Sequence, residues 1–157
     1  MRHGLGRGWL ACILLLTLVL PFPALANTLP QPFSLRVEEM VGGHTIQRHV
    51  GKTEAALRDR LEREPSIPAA SSFKDFDTAE QAIVQALHQH AAMIQAWVET
   101  AGGSPVKAFT HKADRIVGHG VIRATGQLRD MRAFQVVLRR KTAPGRSIFL
   151  LTAYPVP

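Results

Sequence analysis

The chain has 157 residues, a formal net charge of +7 and one cysteine. A single cysteine excludes an internal disulfide, so stability has to come from a buried core, and a chain of this size is long enough to build one. The basic surplus fits a polyanion, an anionic membrane surface or simple solubility.

Residues 1–26 read as a signal peptide. Arg2, His3 and Arg7 form a basic head, Trp9 to Leu20 an apolar run, and Ala24-Leu25-Ala26 a small-x-small cleavage site. The apolar run is shorter than the about 20 residues that a membrane span needs, and Pro21 and Pro23 interrupt its end, so no membrane anchor is expected after cleavage. Export to the periplasm or the medium is expected. Cleavage would remove Cys12 and two arginines but no acidic residue, leaving the rest of the chain basic and without cysteine.

Residues 27–34 form a proline-bearing, extended lead-in. No second linker, repeat or low-complexity tract follows, so residues 35–157 are expected to be one domain. Thr53 is a fair N-cap for a helix that carries the apolar pair Leu57 and Leu61 and ends near Glu64, before Pro65. Arg58 and Arg60 lie two apart on it and point in different directions. After a Ser/Pro loop from Ser66 to Ser72, Asp77-Thr78-Ala79-Glu80 reads as a capping box. Ala79, Ile83, Leu87, Ile94, Trp97 and Val98 then keep helical spacing, which predicts one helix over 78–100, stopped by Gly102-Gly103. His88 and His90 on that helix are expected to be structural.

From Pro105 the pattern changes to strands over 106–110, 115–124, 133–140 and 147–154, with a hairpin turn over 142–146. Helices followed by antiparallel strands predict an α+β fold. Gly118 and Gly120 flank His119 within a strand pattern, which suggests a bulge, a close approach of backbone to ligand, or a plain bend.

Two stretches carry candidate chemistry. In Gly42 to Thr53, His44, Arg48, His49 and Lys52 fall within nine residues between glycine breaks. Histidine exchanges a proton near neutral pH and the cations suit a phosphate, although such clusters also occur as plain solvated faces. In the last strand, alternation puts the hydroxyls of Thr152 and Tyr154 on one face. Metal spacing is absent: there is no Asp/Glu cluster, no Cys after the signal and no His-x-x-x-His pair, and Gly42-Gly43 is not a phosphate-loop fingerprint.

Together, Gly42-Gly43-His44-Thr45, His49-Val50-Gly51-Lys52, Arg60-Leu61, Ser71-Ser72-Phe73, the long helix ending near Trp97 and the terminal Thr152-Ala153-Tyr154-Pro155 resemble the bacterial RNase A-like domain at the C-terminus of contact-dependent growth-inhibition toxins. The resemblance covers most of the chain after the signal. It implies N-terminal helices packed on a C-terminal antiparallel sheet, and an endoribonuclease that cleaves RNA by attack of the 2′-hydroxyl, without metal or cofactor. It implies His49, Arg60, Thr152 and Tyr154 as catalytic residues: His49 the base, Arg60 the stabiliser of phosphoryl charge, Thr152 and Tyr154 the hydroxyl donors. His44 either supports the fold or binds substrate, and Lys52 is either a phosphate neighbour or a helix-entrance lysine.

The expected partners are RNA and, by the resemblance, a small acidic immunity protein over the basic cleft, with the chain acting as a monomer. Family members usually form the tip of a very long toxin, whereas this chain reads as carrying its own signal peptide, so a free-standing exported ribonuclease or an effector released by another route is the expected architecture. The competing readings are a catalytically silent basic module that binds RNA, anionic lipid or a partner protein in the cell envelope, and a purely structural envelope protein.

Overall fold

The computed structural model describes residues 33–143 and 146–157; the expected signal peptide, most of the expected lead-in and the centre of the expected 142–146 turn lie outside them. Among the described residues, five helices and six strands follow one another as α1 (Leu35–Met40), α2 (Thr45–His49), α3 (Glu54–Arg63), β1 (Ala69–Phe73), α4 (Phe76–Gln89), α5 (Ala91–Glu99), β2 (Val106–Lys112), β3 (Gly118–Ile122), β4 (Leu128–Met131), β5 (Ala133–Ala143) and β6 (Arg146–Val156). They build two three-stranded antiparallel sheets, ordered β1-β3-β4 and β2-β5-β6. The architecture is α+β, as the element pattern implies.

The main core is the inner face of α4 and α5 (Ala79, Ala82, Ile83, Ala86, Leu87, Ile94, Trp97) packed on Phe134, Val136, Leu138, Ile148, Leu150 and Ala153 of β5 and β6. Apolar positions three and four apart on the helices meet positions two apart on the strands, which is the packing both periodicities specify. A smaller cluster of Leu57, Leu61, Ala70 and Val121 seats α3 on the first sheet. Phe73 and Phe134, edge to face with ring centroids 5.5 Å apart, join the two sheets.

Helix ends depart from expectation in instructive ways. Thr53 does cap α3, its Oγ1 accepting from Ala56 N at 3.3 Å. α4 is capped by Asp75, whose carboxylate accepts from Thr78 N at 2.7 Å, and not by a box at Asp77. Glu80 is diverted to accept from Leu35 N at 2.9 Å, which ties α1 to α4. The single helix expected over 78–100 is two, because His90 leaves helical geometry, its ring lying tilted against Phe109 of β2 (centroids 4.5 Å) and edge-on to His111 (5.7 Å). Two arginines serve as C-terminal caps. Arg123 donates to the carbonyls of Leu61 in the last turn of α3 and of Glu64 and Ile67 just beyond it, and Arg140 to those of Trp97, Val98 and Thr100 at the end of α5.

Two strands are not predicted by the sequence pattern. β1 lies in the Ser/Pro loop and β4 is an exposed edge; tertiary pairing with β3, not local propensity, makes both extended. Of the three readings for Gly118, the structure supports close approach, but to backbone rather than to ligand. A Cβ there would overlap the Ser72 carbonyl and press on Pro155 Cγ at 2.8 Å. His119 is structural: its Nε2 donates to Lys52 O at 3.0 Å. Gly118→Ala is expected to destabilise the fold by about 3 kcal/mol, since the clash is with main chain that cannot rotate away. The midpoint in a urea titration checks this, and an unchanged midpoint would show that β1 and β3 separate more easily than their pairing implies.

Candidate active site

The Gly42 to Thr53 stretch is held by acids and amides rather than by its own helix propensity, since five residues of α2 cannot be stable alone. Glu39 of α1 accepts from Ile46 N (3.0 Å) and Gln47 N (2.9 Å), doing the capping that His44 does not do. Buried Glu38 accepts from Leu150 N at 2.6 Å, His44 N donates to Leu151 O at 3.0 Å, and Thr45 Oγ1 accepts from Ala153 N at 2.9 Å. Gly43 sits where a Cβ would meet Leu150 O at 2.7 Å and Glu38 O at 2.8 Å. The Gly-Gly-His-Thr segment is thus a docking device that lays α2 directly along β6.

On its other side α2 is tied to β1. Val50 bridges Phe73, Gly51 N donates to Phe73 O at 3.1 Å, and Lys52 N donates to Ser72 Oγ at 2.9 Å. Ser71 Oγ donates to Pro155 O at 2.6 Å, closing β1 onto β6. Between these anchors lies a cleft of about 380 Å³. His44, Arg48, His49, Arg60, Gln135, Thr152 and Tyr154 form its polar part, and Ile67, Pro68, Pro155 and Val156 its apolar part. The four residues singled out as catalytic, and His44 with them, therefore come together from α2, α3 and β6.

His49 is 5% exposed. Its Nδ1 lies 3.3 Å from Ser71 O and 3.4 Å from Arg60 Nη1, and its ring stacks on Tyr154 with centroids 5.1 Å apart. Ser71 O only accepts and Arg60 Nη1 only donates, so Nδ1 cannot bond both; with its proton turned to the nearer Ser71 O, Arg60 is a close cation rather than a donor to the ring, and the lone pair falls on Nε2, which has no partner among the described residues. Burial pushes the imidazole down to about 4; the Ser71 bond opposes this, while Arg60, His44 and Arg48 add to the depression. At neutral pH the ring is uncharged, the form a base needs. His44 is lowered too, mainly by burial and then by Arg48, with Glu39 opposing.

Arg60 is fixed by Glu64, which accepts from Nε at 3.2 Å and from Nη2 at 3.3 Å, so Nη1 is the guanidinium nitrogen turned to His49. Thr152 Oγ1 is buried in the cleft wall with no hydrogen-bond partner among the described residues. Leaving a hydroxyl so costs about 1–3 kcal/mol, a cost a ligand oxygen would remove. Tyr154 OH donates to Gln135 Oε1 at 2.7 Å. Gln135 was not signalled by the sequence; only the β5–β6 register, which sets it opposite Tyr154, brings it there.

Lys52 does not line this cleft. It lines a neighbouring one, and Arg48 and Arg60 line both. Among the described residues no group of three or more His, Cys, Asp or Glu side chains comes together to hold a metal.

A family model described as the bacterial CdiA-CT RNase A domain matches residues 43–155. The chain is also similar to the crystal structure of a CdiA-CT/CdiI complex from Y. kristensenii, with 29% identity and a TM-score of 0.65, over 73% of this chain and 100% of that one. No curated protein matches.

Proposed function

Because the chain belongs to the bacterial CdiA-CT RNase A domain family, we propose that it is an exported ribonuclease toxin that cleaves RNA through its own 2′-hydroxyl, with no metal or cofactor. The observation that supports this most is the setting of His49: buried, its imidazole pushed down to about 4 by that burial, with no partner for Nε2 among the described residues, and 3.4 Å from a guanidinium.

In this reading Nε2 takes the 2′-proton as the 2′-oxygen attacks phosphorus. Arg60 meets the charge gathering on the phosphoryl oxygens through Nη1, held ready by Glu64. Thr152 gives its unpaired hydroxyl to a phosphoryl oxygen, and Tyr154 turns from Gln135 to the leaving 5′-oxygen as a hydrogen-bond donor. The bond from phosphorus to O5′ breaks as that to O2′ forms, leaving a 2′,3′-cyclic phosphate and a 5′-hydroxyl that takes its proton from water. His44, beside the base, contacts substrate.

The reading includes export by residues 1–26, action as a monomer, and a small acidic immunity protein over the basic cleft. The similar structure, in which a CdiA-CT is bound to CdiI, supports that partner. Purified residues 27–157 incubated with total RNA in EDTA are expected to yield fragments ending in 2′,3′-cyclic phosphate. Intact RNA rejects the proposal, and RNA bound but uncut favours the silent binding module.

A further inference from the structure

The cleft next to the candidate active site, about 410 Å³, has lining that the chemistry above leaves unused. It is lined by Gln47, Arg48, Lys52, Arg60, Arg63 and Glu64, with Ala56 and Leu57 on the α3 side. Four cations therefore face one carboxylate. That carboxylate, Glu64, is already bound to Arg60 and is held below the usual carboxylate range chiefly by that bond, so it stays ionised and committed to Arg60.

The other three cations are differently placed. Arg48 and Lys52 make no side-chain hydrogen bond or ion pair among the described residues, and Arg63 uses one nitrogen, Nε, on Asp59 O at 3.3 Å. The main chain of Lys52 is nevertheless fixed at both ends, its N–H on Ser72 Oγ at 2.9 Å and its carbonyl on His119 Nε2 at 3.0 Å. A clamped backbone carrying an uncommitted ammonium, beside two arginines, is arranged for an anion rather than for a protein carboxylate. Arg48 and Arg60 stand between the two clefts, so one anion over His49 and one over Lys52 would be neighbours bridged by the same guanidinium groups.

We infer that this second cleft is a phosphate subsite, in which Lys52, Arg63 and Arg48 hold the backbone phosphate next to the one cleaved, so that the substrate is an RNA strand of several nucleotides rather than a dinucleotide. The inference rests on the ribonuclease reading and names the substrate form that its site takes. Backbone phosphates carry most of the affinity of a single strand, and each neutralised phosphate adds about 0.7 to the slope of log affinity against log salt. Arg48 and Arg60 would register strand to chemistry, and Lys52 with Arg63 would supply length-dependent affinity.

The test measures binding of 2′-O-methyl RNA, which lacks the attacking hydroxyl, so it does not depend on turnover. A dinucleotide and a longer oligonucleotide are compared by fluorescence anisotropy over a salt series, using the purified protein and Lys52→Ala/Arg63→Ala. The double variant is expected to lower the ratio of long-oligomer to dinucleotide affinity about tenfold and to flatten the long-oligomer salt slope by about 0.7. The charge-preserving pair Lys52→Arg/Arg63→Lys is expected to restore both. An unchanged ratio and slope overturn the subsite and leave the surface to another anionic partner. Cleavage of unmodified RNA, run in parallel, separates the two readings. Uncut RNA rejects the ribonuclease and the subsite with it, whereas cut RNA with an unchanged ratio rejects the subsite alone.

Discussion

Replacing His49 by alanine is expected to lower kcat/KM for RNA by about three orders of magnitude, the range of a lost general base. The change removes Nε2 and the ring that stacks on Tyr154, but β6 stays tied to α2 through Thr45 and His44 and to β1 through Ser71. Circular dichroism should therefore match wild type while cleavage disappears, and a variant that cuts as well as wild type rejects His49 as the base. The pH profile adds a second mark. With the imidazole pushed down to about 4, wild-type kcat/KM should rise through about pH 4 and be level by neutrality, whereas an ordinary histidine would still be gaining activity near pH 6.5. Stability follows the same group. Between about pH 4 and about 6.5 unfolded His49 binds a proton that the folded ring refuses, so unfolding free energy rises with pH across that window. It is lost as pH falls, with His44 and His111 acting in the same direction.

Arg60→Ala is expected to cost about two to three orders of magnitude in kcat, with a smaller change in KM, because its charge matters most when the phosphoryl oxygens gain charge. Two consequences separate this from loss of packing. Arg60 helps depress His49, so the low-pH limb of the profile should move up when the guanidinium is gone. Glu64 would also lose its partner at the boundary between the clefts, so Arg60→Ala/Glu64→Gln should bind RNA better than Arg60→Ala alone. Arg60→Lys should recover only part of the rate, since an ammonium cannot engage Glu64 through two nitrogens and still present a third to the phosphate. If Arg60→Ala changes KM alone, Arg60 is a binding residue and not a stabiliser of the transition state.

Much of the cleft is legible in the sequence through the family resemblance, which singles out His49, Arg60, Thr152 and Tyr154, and local spacing adds where two of these segments point. Thr152 and Tyr154 share a face by strand alternation, and Arg60 points away from Arg58 by helical spacing. What spacing does not give is a partner across the fold. Gln135 meets Tyr154 only through the register of β5 and β6. Ser71 matters to His49 through its carbonyl, which no side-chain pattern encodes. Lys52 lies four residues from Arg48, yet α2 ends at His49, so the two line the same neighbouring cleft while only Arg48 also reaches the one over His49.

The missed elements have the same physical origin. β1 contains Ala69, Ala70, Ser71 and Ser72, poor strand formers that are extended because β3 pairs with them. The break at His90 is invisible to a periodicity that continues through it, since Ile94 N still bonds His90 O at 3.0 Å while the ring turns to Phe109. The capping signal at Asp77 to Glu80 was real in composition but two residues late, because Glu80 serves Leu35 instead.

The bonds from Glu38, His44 and Thr45 to Leu150, Leu151 and Ala153 join the two ends of the domain across more than a hundred residues of chain. During synthesis, therefore, α2 can meet α1 and β1 early but cannot dock on β6 until residues 150–153 have left the ribosome. Until then His49 is without the Tyr154 ring, the Thr152 hydroxyl and the far wall of the cleft. Such late closure keeps the histidine apart from two of its proposed partners, Thr152 and Tyr154, until the strand that carries them has been made.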